Sequence, residues 1–243
     1  MVNCEQKRNQ EALTMYKIET HLHTPVISPC GRLTPEELVL GYKAAGYAAI
    51  TVTDHYKTAA FRYAGIDLDA PGSKLDAFLE GYRQVKAIGD REGIAVYYGA
   101  EIQFFENDND YLLFGFSPEL LADAKAVCAM GLAKFSELAR ADGALLLQAH
   151  PFRKHCVPVA PHLIDGVEAV NRHDCHPNRN DLAIDFARRY GLLMTGGTDC
   201  HDPEDIGMGG IDADYLPKDS MELAKLLREG SFKILGNDTD YIL

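Results

Sequence analysis

No stretch of this 243-residue chain approaches the roughly 18 consecutive apolar residues of a membrane span, so no membrane partner is expected. The opening MVNCEQKRNQEALTMY lacks the apolar region of a secretory signal, and residues 1–16 read as a polar extension before the first strand. Six cysteines (Cys4, Cys30, Cys128, Cys156, Cys175 and Cys200) have neither CxxC spacing nor the density of a disulfide scaffold, which predicts a reduced, cytoplasmic protein. Lys and Arg number 24 against 36 Asp and Glu, a net charge of −12. That shortage of positive charge argues against nucleic acid, whose binding depends on neutralising phosphates. A small anion remains an open partner if the site itself is positive. The G-x-S-x-G elbow and the G-x-x-x-x-G-K-[ST] phosphate loop are both missing. GMGGID at 207–212 lacks the dinucleotide fingerprint and reads as a glycine-rich turn. Tryptophan, internal repeats, low-complexity tracts and Pro/Ser-rich linkers are absent too.

What remains is a chain with 47% hydrophobic residues, enough for a sizeable core. Short apolar runs at 17–23, 47–53, 94–100, 111–116, 144–149, 166–170, 192–196 and 232–235 alternate with amphipathic segments. Thr34 is placed to cap a helix with Pro35 in its first turn and Gly46 as its stop. Ser73 precedes a second helical pattern over 74–93, and further helices fit 118–141 (broken near Gly131), 178–190 and 218–229. Such alternation predicts an α/β fold with a largely parallel sheet, taken as one domain over 17–243. The connection 56–73 is long for a compact domain and reads as a disordered segment or a lid.

The polar residues follow the strands. YKIETHLHTP places His21 and His23 two residues apart, hence on one face of a strand end. The run 47–53 delivers Asp54 and His55, 94–100 delivers Glu101, 144–149 delivers His150, 166–170 is followed by Asn171, and 192–196 is followed by Asp199 and His201. In a (β/α) barrel those ends converge on one face, where active sites lie. Imidazole with carboxylate suits zinc, manganese or iron. Five histidines with two or three carboxylates exceed the needs of one tetrahedral ion, so two or more ions are expected, with a carboxylate as bridge.

H-x-H at 21–23, the Pro-Glu-Glu-Leu helix start, T-D-H at 53–55, G-x-E at 99–101, H-P at 150–151 and G-G-T-D-x-H at 196–201 together resemble the PHP (polymerase and histidinol phosphatase) superfamily. The resemblance runs over nearly the whole chain after residue 16. It implies a distorted (β/α)7 barrel with two or three divalent ions (zinc, manganese or iron) and hydrolysis of phosphoesters. By position, His21, His23, Glu101 and Asp199 would bind a first ion. Glu101 would bridge to a second ion held by His150, and His55 and His201 would contribute to a third. Asp54 would orient rather than bind. Two departures stand out. TPVISPCGR lacks the His or Asp that many relatives use for the third ion, leaving Cys30 and water as local candidates. Where relatives often have a histidine near the fourth strand, this chain reads NDNDYLLFGF; Asp110 is either a replacement or an acidic turn residue.

Arg153, three residues beyond His150, could take two phosphate oxygens, and Arg32 is a second candidate for that role or an ordinary surface charge. His155, His162, His173 and His176 read as surface or helix-entry residues, with His176 able to touch a pocket rim. The cysteines near these motifs (Cys30, Cys156, Cys175 and Cys200) read as small buried residues. The expected activity is hydrolysis of a small phosphomonoester by metal-activated water, with Glu101, Asp199 and Arg153 at its centre. Two rivals share some features: an amidohydrolase-type C–N hydrolase, for which no lysine stands at a strand end to bridge two metals, and a non-catalytic metal-binding regulatory module.

Overall fold

The computed structural model of the protein describes residues 15–173 and 175–236, so the expected N-terminal extension lies almost wholly outside the described residues. The first element is β1 (Tyr16–Leu22), buried from Ile18 onward. It leads to α1 (Pro35–Ala44), opened by a capping box in which Thr34 Oγ1 accepts from Glu37 N and the Glu37 carboxylate accepts from Thr34 N. Next come β2 (Ala49–Val52), β3 (His55–Tyr56), α2 (Thr58–Tyr63), α3 (Leu75–Phe78) and α4 (Glu80–Glu92). They are followed by β4 (Ala95–Gln103), β5 (Asp110–Phe114), α5 (Ala124–Met130), α6 (Leu132–Asp142) and β6 (Leu145–Gln148). The chain continues through β7 (Gly166–Asn171), α7 (Asn180–Tyr190), β8 (Leu193–Gly197), β9 (Gly210–Ala213), α8 (Ser220–Glu229) and β10 (Phe232–Leu235). Among the described residues no helix is long and apolar enough to cross a membrane.

The strands lie in the order β10-β9-β1-β2-β4-β5-β6-β7-β8, with β3 also paired to β4. Every residue of β2 and β6 is buried, as strands covered on both faces require. Just past β8 the chain returns to β1: Leu22 bridges Cys200 in parallel, and Thr20 Oγ1 donates to Gly196 O at 2.7 Å. These links nearly close the sheet, giving the distorted barrel of seven wall strands (β1, β2, β4, β5, β6, β7 and β8) that the family resemblance implies.

The sheet is less parallel than the alternation predicts. β1, β2 and β4 run parallel, as do β6, β7 and β8, but β5 is antiparallel to both of its neighbours and β9 is antiparallel to β1 and β10. No helix separates β4 from β5, so a short turn returns the chain beside itself, which only an antiparallel pair permits. The reversal matters for the site. In β5 the first residue, Asp110, lies beside Gln103 at the far end of β4.

Four local readings also change. The stretch 56–73 is not a free loop: it holds α2, whose Phe61 packs edge-on against Tyr56 at 4.8 Å, while Phe78 of α3 meets the same ring at 5.0 Å. All three rings are buried, and each contributes about 1.5–3 kcal/mol through burial. The helical pattern at 74–93 is interrupted at Leu79, and 118–141 becomes a 3-10 turn (Pro118–Leu121) followed by α5 and α6, separated at Gly131 (φ +78°). GMGGID contains the start of β9, where backbone pairing to β1 outweighs the turn preference of its glycines.

Candidate metal centre

Residues from six places on the barrel meet at one end. His21 and His23 leave β1 on the same face, with ring centroids 5.1 Å apart. Glu101, in β4, stands at the middle of the group. Its Oε1 lies 3.4 Å from His21 Nε2 and 3.2 Å from His150 Nε2, while its Oε2 lies 3.4 Å from His23 Nε2 and 2.6 Å from His55 Nδ1. Each oxygen of one carboxylate thus faces its own pair of imidazoles. Asp199 Oδ1 adds contacts of 3.5 Å to His21, 3.1 Å to His23 and 3.2 Å to His201.

The hydrogen-bonding pattern fits a metal cluster better than a set of ion pairs. His21 Nε2, His55 Nδ1, His201 Nε2 and Glu101 Oε2 are buried and make no hydrogen bond of acceptable geometry, although carboxylate or imidazole atoms lie close by. Orphaned buried polar atoms are uncommon in folded proteins. Donor atoms aimed at a shared point rather than at each other account for them here. Four overlapping groups have ligand atoms within 4.8 Å of one another: His21, His23 and Glu101; His23, Asp199 and His201; His55, Glu101 and Asp110; and His23, Cys30 and His55. These residues could hold more than one divalent ion.

Around them lies a supporting layer that the sequence reading covers only in part. Asp54 touches none of the imidazoles: it accepts from Thr24 N, Thr24 Oγ1 and Ser28 Oγ at 2.7 Å each. Ser28 Oγ in turn accepts from His55 N at 2.9 Å and lies 3.4 Å from His23 Nδ1, so Asp54 steadies two imidazoles through one hydroxyl. Glu168, inside the buried strand β7, goes unnoticed in the sequence reading. Its Oε1 lies 2.9 Å from His21 Nδ1 and its Oε2 accepts from His150 N, the arrangement of a carboxylate that orients a metal-binding histidine. The available signal was a lone glutamate in an otherwise apolar strand.

Arg153 reaches the site but is already engaged. Its guanidinium donates to Asp199 Oδ2 at 2.8 Å, Asn171 Oδ1 at 2.8 Å and Asn178 Oδ1 at 2.9 Å. Two of its five N–H groups remain for a substrate. Arg32 is an exposed rim residue paired with Asp202 at 2.8 Å. His176 is exposed, 5.7 Å from the His173 ring. His173 departs from the surface role expected of it: it is buried, 3.2 Å from Asp205 and 4.4 Å ring to ring from His201. Of the cysteines expected to be buried, Cys200 is; Cys30 and Cys156 are partly exposed and Cys175 is exposed. Cys156 Sγ lies 3.7 Å from His150 Nδ1.

Two members of the cluster, His150 (φ +29°) and Asp199 (φ +53°), have left-handed backbones. Side chains other than glycine's rarely adopt that region, and such residues concentrate at functional sites held by their surroundings. Electrostatics point the same way. Burial alone would raise Glu101 and Asp199, but His55 and His21 hold Glu101 well below the usual carboxylate range, and His21, His201 and His23 do the same for Asp199. Burial disfavours the charged imidazoles, yet Glu168, Asp199 and Glu101 keep His21 well above its ordinary value, and Glu101 carries His55 to about 10. Against the same burial, contacts with Cys156 and Glu101 lift His150 to about 10, and Asp199 and Cys30 lift His201 to about 9. His23 moves the other way, lowered by burial and by His55. Carboxylates so strongly stabilised in their charged form call for cations, and a metal would displace the imidazolium protons.

Comparison with known proteins gives the site its context. The PHP domain family matches residues 19–156, and a PHP-associated family matches residues 177–231. Among solved structures, a two-domain protein from Bacteroides vulgatus, described as containing a PHP-like metal-dependent phosphoesterase, is similar with a TM-score of 0.64 at 17% identity. The alignment covers 91% of this chain and 64% of that one, so the chain spans a little under two thirds of that protein. PsfC from Pseudomonas syringae is similar over 82% of each chain, with a TM-score of 0.61 at 17% identity. The lesion-specific endonuclease Q from Pyrococcus furiosus has a TM-score of 0.57 at 11% identity, covering 91% of this chain and 58% of its own. No curated protein matches the sequence. At these identities the solved structures establish the fold; the family match covers more than half of the chain. This chain belongs to the PHP domain family.

Proposed function

We propose that this protein is a metal-dependent phosphoesterase acting on a small phosphomonoester. The observation that carries the reading is the division of Glu101, whose two oxygens face two separate pairs of imidazoles. That is what a bridging carboxylate needs in order to hold two cations side by side. In this reading His21 and His150 serve the position at Glu101 Oε1, His23 and His55 serve the position at Oε2 with Asp110 at its edge, and Asp199, whose Oδ1 faces His21, His23 and His201, draws His201 into the cluster. Divalent ions bound there would supply Lewis acidity and water of lowered pKa. The chain supplies the rest. Glu168 fixes the ring of His21, and Ser28, held by Asp54, steadies His23 and His55. Arg153 fixes Asp199 and directs its two free N–H groups at a phosphate oxygen. The role of Arg153 is therefore as much to position Asp199 as to bind substrate. A cavity of 290 Å³ lined by Lys57, Gln103, Phe105 and Asn107 adjoins Asp110, and gives room for a leaving group beside the phosphate.

Endonuclease Q, one of the structural neighbours, has been seen with a DNA duplex carrying an abasic lesion at its active site. The acidic charge of this chain therefore does not by itself remove polynucleotides from consideration. The test is a hydrolysis screen of the manganese- and zinc-loaded protein over phosphorylated metabolites, a lesion-bearing duplex and a panel of amides. Release of inorganic phosphate from a monoester, lost in Glu101→Gln, is the expected result. Cleavage confined to the duplex or to C–N bonds overturns the monoester reading.

A further inference from the structure

A cysteine sits where the metal cluster meets solvent, and neither the pairing of Glu101 nor the arrangement of Asp199 accounts for it. Cys30 belongs to the loop 24–32, which is tied down along its length. Ser28 N donates to Thr24 O at 2.9 Å, Gly31 N to Ser28 O at 3.1 Å, and Arg32 N to His201 O at 3.0 Å. Gly31 lies so close to the His23–Thr24 backbone that a Cβ there would stand 2.8 Å from Thr24 C and 3.0 Å from His23 O. Asp54 grips Ser28 from below. The loop is thus folded against β1 at one end and the segment after β8 at the other, and Cys30 is carried between them. Its sulfur lies within 4.8 Å of a ligand atom of His23 and of one of His55.

We infer that Cys30 is itself a metal ligand, completing with His23 and His55 a thiolate-bearing position on the Oε2 side of the Glu101-bridged pair. The inference rests on the metal reading given above and goes beyond it by assigning this ligand. Zinc–sulfur and zinc–nitrogen bonds of about 2.3 and 2.0–2.1 Å leave such atoms up to about 4.4 Å apart, and the sulfur and the His23 and His55 nitrogens lie within 4.8 Å of one another. His55 Nδ1 and Glu101 Oε2, 2.6 Å apart, are both buried and make no hydrogen bond of acceptable geometry, as two atoms directed at a shared ion would. A sulfur ligand selects for zinc or another thiophilic ion and against magnesium or calcium. This position would then carry a different metal preference from the Oε1 side of Glu101, which only imidazoles and carboxylates approach.

Cobalt(II) separates the ligands by spectrum. Titrated anaerobically into chelator-treated full-length protein, it should give a thiolate-to-cobalt charge-transfer band in the near ultraviolet, together with binding of about two or more ions per chain. In Cys30→Ala the band disappears and about one ion per chain is lost. In Cys30→Asp the ion returns and the band does not. Cys156→Ser, which alters the thiol beside His150, keeps the band. Capping the wild-type thiol with methyl methanethiosulfonate repeats the Cys30→Ala result without any change of sequence. Cobalt bound by wild type with no such band, or a band that survives in Cys30→Ala, overturns this proposal and leaves the Glu101-bridged pair standing. A wild-type protein that binds no cobalt overturns both.

Discussion

Glu101 is the side chain whose two oxygens each face two imidazoles, and its replacement gives the sharpest single-residue expectation. Glu101→Gln keeps the shape and removes the charge, so turnover should fall at least tenfold, about 1.4 kcal/mol in barrier, with the circular dichroism spectrum unchanged. Activity above a tenth of wild type would remove Glu101 from the bridging role. For Arg153 the three internal bonds argue that Arg153→Ala loosens Asp199, so metal retention and kcat should drop together. A rise in KM alone, with metal content unchanged, would instead make Arg153 chiefly a phosphate ligand. Cys30 gives a pH test. Burial pushes its thiol up, but His201 and His55 outweigh burial and bring it down to about 7. In chelator-treated protein its alkylation rate should therefore rise with pH and level off just above 7, where a free thiol of pKa about 8.5 is still mostly protonated. A midpoint at or above 8.5 contradicts this. That these histidines and carboxylates cluster was legible in the sequence because each stands at the end of an apolar run, whereas Glu168 was not, since one glutamate in GVEAV carries no pattern. His173 was misread for a related reason: its partner, Asp205, is 32 residues away and meets it only in the folded chain.

Strand β8 shows how closely the elements are fitted to the site. A Cβ on Gly197 would lie 2.6 Å from His21 Cβ and 2.9 Å from Glu168 Oε1. Both are buried and bonded to each other, so neither can step aside without breaking the pair. Gly197→Ala should therefore destabilise the protein by roughly 1–3 kcal/mol, the usual range for overpacking a tight core. It should also weaken metal binding, read by competition with a chromogenic chelator. An unchanged melting temperature and unchanged metal affinity would mean the strands can move apart there. At this scale the α1 start, the break at Gly131 and most strand positions could be read from periodicity and caps. The reversal of β5 could not, because apolar content is the same for either strand direction. Helix α2 was hidden because its six residues are too few for a periodic signal, and the aromatic packing of Phe61 on Tyr56 decides its place.

Across the molecule, the cluster joins the two ends of the seven-strand wall: His21 and His23 come from β1, Asp199 and His201 from the segment after β8, and Glu101 from the opposite wall. Bound metal should act as a clasp. A ligand at a thousand times its Kd stabilises the state that binds it by about 4.1 kcal/mol, so chelation should lower the melting temperature by many degrees and re-addition of zinc or manganese should restore it. A melting temperature indifferent to chelator would mean that the barrel closes without metal. The fold was the most legible level, because a barrel is announced by ligands recurring at successive strand ends. The number of ions was the least, since it depends on distances that sequence does not carry. That number is also the direct test of the central claim. Elemental analysis of protein purified without chelator should find two or more transition-metal ions per chain. Less than one, not restored by added zinc or manganese, would contradict the account.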